Sequence, residues 1–239
     1  SCCWGVSVYG RSYYNDLADL KIIAEKSECI INPMASSFSL YNKWIGQEWV
    51  SMASSLLFLL LPLTASLPYS WNYCNEKKSG YINNVFTRVN KGRYIKTKFL
   101  TTFLVGAISI FIPLLINIMI VSSFIPAAKP NVYYDIYYNM PISYAFSEMF
   151  YKTPLLYTVM KILLISSFGG SFAVLGQATG TIIKNRFIVV LFPFVFMLLF
   201  NYIVNVFSGN IELSPIQFLY GGGDALTSYW IVISELVVL

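Results

Sequence analysis

The residues best able to form specific charged contacts lie in one short stretch, residues 73–98. A single carboxylate, Glu76, stands among seven bases: Lys77, Lys78, Arg88, Lys91, Arg93, Lys96 and Lys98. Two long segments without any charge flank this stretch, from Trp49 to Asn75 and from Phe99 to Ala128. Because Lys and Arg are retained on the cytoplasmic side of a membrane, we predict that residues 73–98 form a cytoplasmic loop.

The chain lacks the residue patterns of common catalytic centres. It contains no histidine, which excludes Ser-His-Asp triads and zinc sites of the HExxH type. No Walker A pattern is present, and the four cysteines show no spacing typical of a metal site. Asp135 and Asp224 fall in polar segments outside the predicted spans. This position argues against a catalytic pair of carboxylates inside the membrane. We therefore predict a protein that is not an enzyme and that holds no metal or cofactor of its own.

Composition indicates an integral membrane protein. Hydrophobic residues make up 56% of the chain and charged residues only 11%, against the roughly 25% charged residues of soluble domains. The net charge of +5 comes mainly from residues 73–98. It therefore indicates orientation in a membrane, and we predict no nucleic-acid partner.

Four apolar segments are long enough to cross a hydrocarbon core of about 30 Å. They are Trp49–Trp71, Phe99–Pro126, Leu155–Ile183 and Phe187–Phe207. A fifth begins near Ala225 and stops at Leu239, short of the roughly 17 residues that a span needs. Alternation from the basic loop places residues 1–48, 129–152 and 208–224 outside and the turn 184–186 inside. We expect a multi-pass protein of the cell membrane.

This orientation bears on both ends of the chain. If residues 1–48 lie outside, a span should precede them, so we expect a missing first span and a sixth span that is truncated. The predicted domains are then an extracellular segment, 1–48, and a transmembrane domain, 49–239. The alternative is a complete protein whose N-terminal segment crosses the membrane unaided.

The basic loop itself predicts a short amphipathic helix. Tyr81, Ile82, Val85, Phe86 and Val89 share one face at helical spacing, and polar and basic residues lie opposite. Ser79 is the expected N-cap and Gly92 the expected residue after the C-cap. Two interpretations stay open: the apolar face rests in the headgroup zone of the bilayer, or it docks a cytoplasmic partner.

Lys161 is the one base inside a predicted span. Charge inside lipid is costly, so such a residue usually faces protein, water or the interface. We expect its long side chain to reach the outer interface. The alternative is a contact with an anionic substrate or a lipid headgroup.

Three sequence runs resemble the permease subunits of ABC-2 type transporters of Gram-positive bacteria. They are Leu-Pro-Leu-Thr-Ala-Ser-Leu-Pro-Tyr at 61–69, Glu-Lys-Lys-Ser-Gly-Tyr-Ile at 76–82, and Arg-Val-Asn-Lys-Gly-Arg-Tyr-Ile-Lys-Thr-Lys-Phe at 88–99. The resemblance is most specific in the loop. It covers the order of spans from about Glu48 to Leu239.

The resemblance implies an all-α, six-helix permease of the ABC-2, type V exporter-like kind. Such a permease works with a second permease, identical or different, and with separate ATPase subunits that bind ATP and Mg²⁺. The loop after the second span would couple to the ATPase through Glu76, Gly80, Tyr81, Ile82, Phe86 and Arg88. Glu76 and Arg88 would either pair with each other or bind charges on the partner. The alternative function is a non-transport membrane scaffold or assembly factor, anchored to lipid by the basic helix.

Overall fold

A computed structural model describes residues 39–48, 51–127, 129–130, 146–183 and 185–207. Within these ranges the chain is helical and forms no strand. The helices are α1 (Leu40–Lys43), α2 (Met52–Ser66), α3 (Asn72–Lys78), α4 (Tyr81–Phe86), α5 (Lys91–Phe124), α6 (Ser147–Lys152), α7 (Pro154–Ile182) and α8 (Arg186–Phe207).

In the part of the chain that the structure describes, three helices are long and apolar enough to cross a membrane: α5, α7 and residues Arg186–Val204 of α8. Large apolar side chains lie exposed along them, including Leu100, Leu104, Ile108, Ile112 and Ile116 at every fourth position of α5. An exposed apolar surface of this length suits a lipid environment. The prediction of a helical membrane protein is therefore confirmed at this coarse level. The six-helix architecture stays a prediction.

The first of the four predicted apolar segments forms a shorter helix than expected. The prediction was Trp49–Trp71, whereas α2 covers 15 residues, Met52–Ser66, fewer than the roughly 17 that a crossing needs. Residues 67–71 form turns instead. Pro68 has no N–H with which to continue the helical hydrogen bonds at this point.

Helix α5 begins eight residues before the predicted start at Phe99. The Asn90 side chain caps it by accepting a hydrogen bond from the Gly92 N–H at 3.0 Å. Its 34 residues span about 51 Å at ~1.5 Å per residue, well beyond the ~30 Å hydrocarbon core. We infer that its basic first turns lie outside that core. The bounds of α7 and α8 agree with the prediction to within one residue.

Helices α5 and α7 run antiparallel and make the most extensive contact of the described residues. Glycine permits this approach, because a Cβ added at Gly106 would lie 2.5 Å from the Cβ of Ala173. Gly176 faces α8, because a Cβ there would lie 3.1 Å from the Val189 carbonyl oxygen. Small residues at helix contacts are typical of membrane bundles.

Residues 39–48 pack across one end of the bundle. The Ile45 N–H donates to Asn117 Oδ1 of α5 at 3.1 Å, and the Leu40 N–H donates to the Pro126 carbonyl at 3.2 Å. Trp44 is fully buried in the main hydrophobic core. We call this the opposite end, and the end formed by residues 73–98 the basic end.

Several predicted segments lie outside the described residues. These are residues 1–38, residues 131–145 of the predicted outer segment 129–152, Lys184, the segment 208–224 and the apolar segment from about Ala225 to Leu239.

Candidate functional site

The basic end is organised around one ion pair between α3 and α5. Lys98 Nζ donates to Glu76 Oε1, and the Tyr94 hydroxyl donates to Glu76 Oε2 at 2.5 Å. Lys98 also donates to the Tyr69 hydroxyl at 3.1 Å. The Glu76 and Lys98 side chains are only 16% and 15% exposed. This pairing fixes the loop against the start of α5.

Of the two alternatives for Glu76 and Arg88, the described residues do not show a pair between them. Among the described residues Glu76 pairs with Lys98, while Arg88 lies exposed. The reason is geometric: α5 begins at Lys91, so Tyr94 and Lys98 occupy one helical face. From there both side chains reach the carboxylate of α3.

The predicted amphipathic helix has different bounds. Gly80 adopts a left-handed φ of 73° and separates α3 from α4, a conformation that glycine adopts without steric cost. Ser79 therefore ends α3 rather than capping the next helix, and Gly92 lies inside α5. Where the sequence predicts one helix, the structure has two: the six-residue α4 and then the start of α5 at Lys91.

The apolar face of α4 is largely used within the chain. Ile82 is 6% exposed. The ring of Phe86 meets the ring of Tyr94 edge to face, with centroids 5.7 Å apart, and Lys91 Nζ lies 5.7 Å from the Phe86 centroid. Tyr81, at 55% exposed, remains on the surface. Of the six predicted coupling residues, Glu76 and Phe86 meet through Tyr94, while Tyr81 and Arg88 are exposed.

The surface around α4 is strongly basic. The exposed residues include Lys77, Lys78, Arg88, Lys91, Arg93 and Lys96. Lys77 donates to the Thr181 carbonyl at the end of α7, at 2.7 Å. Because Glu76 is already paired with Lys98, no acid of the described residues offsets these charges. The surface suits an anionic partner.

Sequence reasoning did not single out Tyr69, Tyr94 and Lys98 as site residues. A signal was present: the only acid in a basic stretch is expected to pair with one of the bases. The four-residue spacing of Tyr94 and Lys98 also places both on one helical face. The spacing does not predict that α3 packs against the start of α5.

A second polar cluster lies at the opposite end. Lys161 Nζ donates to Gln47 Oε1 at 2.7 Å, and the Tyr157 hydroxyl donates to the same oxygen at 3.2 Å. Gln47 is 5% exposed and Tyr157 4%. Lys161 therefore binds a residue of the segment 39–48, and its predicted contact with substrate or lipid stays a prediction. No group of three or more metal-ligating side chains occurs in the described ranges.

Comparisons with known proteins assign no family. No family model matches the chain, and no solved structure matches it. A segment of 21 residues is 86% identical to part of the LPS-assembly protein LptD of Acinetobacter baumannii. That segment is 9% of this chain and spans only 3% of LptD, so it carries no argument about function.

Proposed function

We propose that the chain is the membrane-spanning permease subunit of an ABC-2 type transporter. It moves a substrate across the cell membrane while a separate ATPase subunit binds and hydrolyses ATP. A second permease, identical or different, completes the assembly. The three long apolar helices and the likeness of residues 61–99 to such permeases support this proposal. The six-helix architecture and the cytoplasmic position of residues 73–98 and 184–186 belong to it.

The observation that carries the proposal is the linkage of α4 to α5. Phe86 of α4 packs on Tyr94, and Tyr94 donates to Glu76, which Lys98 also holds. Displacement of α4 by a partner would therefore act on the start of a membrane-crossing helix. Such a linkage is what a coupling element between an ATPase and a permease requires.

The exposed residues of the loop suit a docking surface. Tyr81 presents an exposed ring and Arg88 an exposed guanidinium, and these residue types carry most of the binding energy in many interfaces. The surrounding lysines favour a partner with an acidic surface. We therefore assign contact with the ATPase to Tyr81 and Arg88, and the positioning of α4 to Glu76, Gly80, Ile82 and Phe86.

The test is a search for an ATPase reading frame beside that of this chain, then co-expression of the two and measurement of binding and ATP turnover in nanodiscs. Tyr81→Asp and Arg88→Glu should each weaken binding at least about tenfold, the range of interface anchors. Lys152→Glu, an exposed charge reversal at the opposite end, is the matched control. Binding that is unchanged in both loop variants would contradict the proposal.

A lipid-anchored scaffold or assembly factor is the second candidate. The burial of Ile82 and the packing of Phe86 favour it, because they leave a loop surface that is mainly basic. Basic juxtamembrane surfaces bind anionic lipid at about 1 kcal/mol per Lys or Arg. In this case the loop variants should change the preference for anionic over neutral nanodiscs and leave ATPase binding untouched.

A further inference from the structure

The donor pair at the opposite end repeats the one at the basic end. Tyr94 and Lys98 are the fourth and eighth residues of α5, and Tyr157 and Lys161 are the fourth and eighth residues of α7. Each pair converges on one side chain from another segment. At the basic end this is the carboxylate of Glu76; at the opposite end it is the neutral amide of Gln47.

The charge of Lys161 has no acid to balance it among the described residues. Those residues include three carboxylates, and each pairs with another lysine: Glu48 with Lys43, Glu76 with Lys98, and Glu148 with Lys152. Among the described residues, Lys161 contacts the Gln47 oxygen and the Tyr157 ring, whose centroid lies 5.8 Å from Nζ. An ammonium group held in this way is expected to bind an anion more strongly than an amide.

We propose that Tyr157 and Lys161 form a binding site for an oxyanion, a phosphate or carboxylate group, whose place the Gln47 amide oxygen takes in this structure. The two donors lie 3.2 Å and 2.7 Å from that oxygen, as they would from an oxygen of the ligand. The basic end supplies the precedent within the same chain, since there the same donor pair holds a carboxylate.

Access to the site requires the Gln47 side chain to rotate away from the donors, because Gln47 and Tyr157 are buried and Lys161 is half-buried. Lys161 lies seven residues from the start of α7, about 10 Å along the axis, which is within reach of the interface. The oxyanion is then either the phosphate of a lipid headgroup or a free anion.

The site lies away from the proposed docking helix and does not depend on the transport function. Its test uses the full chain in nanodiscs and follows the thermal unfolding midpoint. One arm adds inorganic phosphate at constant ionic strength to neutral phosphatidylcholine nanodiscs. The other replaces part of the phosphatidylcholine by phosphatidylglycerol. A response to phosphate identifies a free anion, and a response to phosphatidylglycerol alone identifies a headgroup.

Four variants separate this site from other basic surfaces. Lys161→Gln should bind the anion at least about tenfold more weakly, as expected for loss of a charged hydrogen-bond donor. Gln47→Glu should lose the response because its own carboxylate occupies the donors. Gln47→Ala should respond more strongly than the unchanged chain. Lys152→Gln, at an exposed lysine near the same end, should respond normally.

Two results would overturn the proposal. One is a response of Lys161→Gln equal to that of the unchanged chain, which would place the bound anion elsewhere, for example on the basic end. The other is a Gln47→Ala variant that responds to neither anion. Because Lys161→Gln and Gln47→Glu alter different residues, the failure of one to fold leaves the other as a test.

Discussion

The two ends of the helical bundle have the same donor arrangement, but the charge of the acceptor side chain differs between them. At each end a tyrosine and a lysine four residues apart point to one acceptor side chain, and a phenylalanine meets the tyrosine edge to face. These phenylalanines are Phe86, 5.7 Å from Tyr94, and Phe150, 5.2 Å from Tyr157. The acceptor is a carboxylate at the basic end and an amide at the opposite end.

This difference separates two roles for the same arrangement. At the basic end the lysine is neutralised within the chain, so the cluster holds α3 and α4 against α5 and leaves the surrounding bases for a partner. At the opposite end the lysine faces a neutral amide instead of a carboxylate, so we propose that an external anion can take the place of that acceptor. Substitutions at the two ends test whether the clusters differ in this way.

The largest loss in the free energy of unfolding is expected when the buried one of the two phenylalanines is replaced by alanine. Phe150 is fully buried, whereas Phe86 is partly exposed. Phe150→Ala should lower the free energy of unfolding by about 3 kcal/mol, as in buried cores, and Phe86→Ala by about 1 kcal/mol, mainly the ring contact. Thermal unfolding in nanodiscs measures both. Equal losses would mean that the two clusters are packed alike.

The next effect comes from removing the carboxylate of the basic end. Glu76→Gln leaves Lys98 with neutral partners, the situation of Lys161 at the opposite end. The cost should be about 2 kcal/mol, as for a partly buried charged hydrogen bond. Glu148→Gln, in the exposed pair with Lys152, is the control. A loss no larger than in this control would show that the Glu76–Lys98 pair does not hold the loop.

The converse change should stabilise the opposite end. Gln47→Glu gives Lys161 a carboxylate and should raise the free energy of unfolding by about 1 kcal/mol. The gain should vanish when Lys161→Met is added, so a double-mutant cycle measures the new pair directly. A gain that persists with Lys161→Met would arise from something other than this contact.

The smallest effect concerns the exposed pair at the opposite end. The Lys152 ammonium holds the pKa of the Glu148 carboxyl below its ordinary value. The pair therefore stabilises the folded state above the unfolded-state pKa of Glu148, and this contribution is lost as the pH falls through the lowered folded-state pKa. Both side chains are exposed, so Lys152→Gln should hardly change the acid unfolding profile. A clear shift would show that the pair is less screened than its exposure indicates.

Much of the fold can be predicted from local composition, whereas the polar clusters at the two ends cannot. The bounds of α7 and α8 follow from apolar runs whose N-terminal ends lie at Pro154 and Arg186. The start of α5 was missed because the Asn90 cap, not the apolar pattern, sets it. The Lys161 to Gln47 bond joins residues 114 apart in sequence. Local spacing predicts that Tyr157 and Lys161 share a helical face, but not which segment supplies their acceptor.

The central claim is that the two ends face opposite sides of the membrane, with the basic end in the cytoplasm. Single cysteines at Lys78 and Lys152, both exposed, test it when the native cysteines are replaced by serine and an impermeant thiol reagent is applied to oriented vesicles. We expect labelling of the Lys78→Cys variant only from the cytoplasmic side and of Lys152→Cys only from outside. Labelling of both from the same side would contradict it.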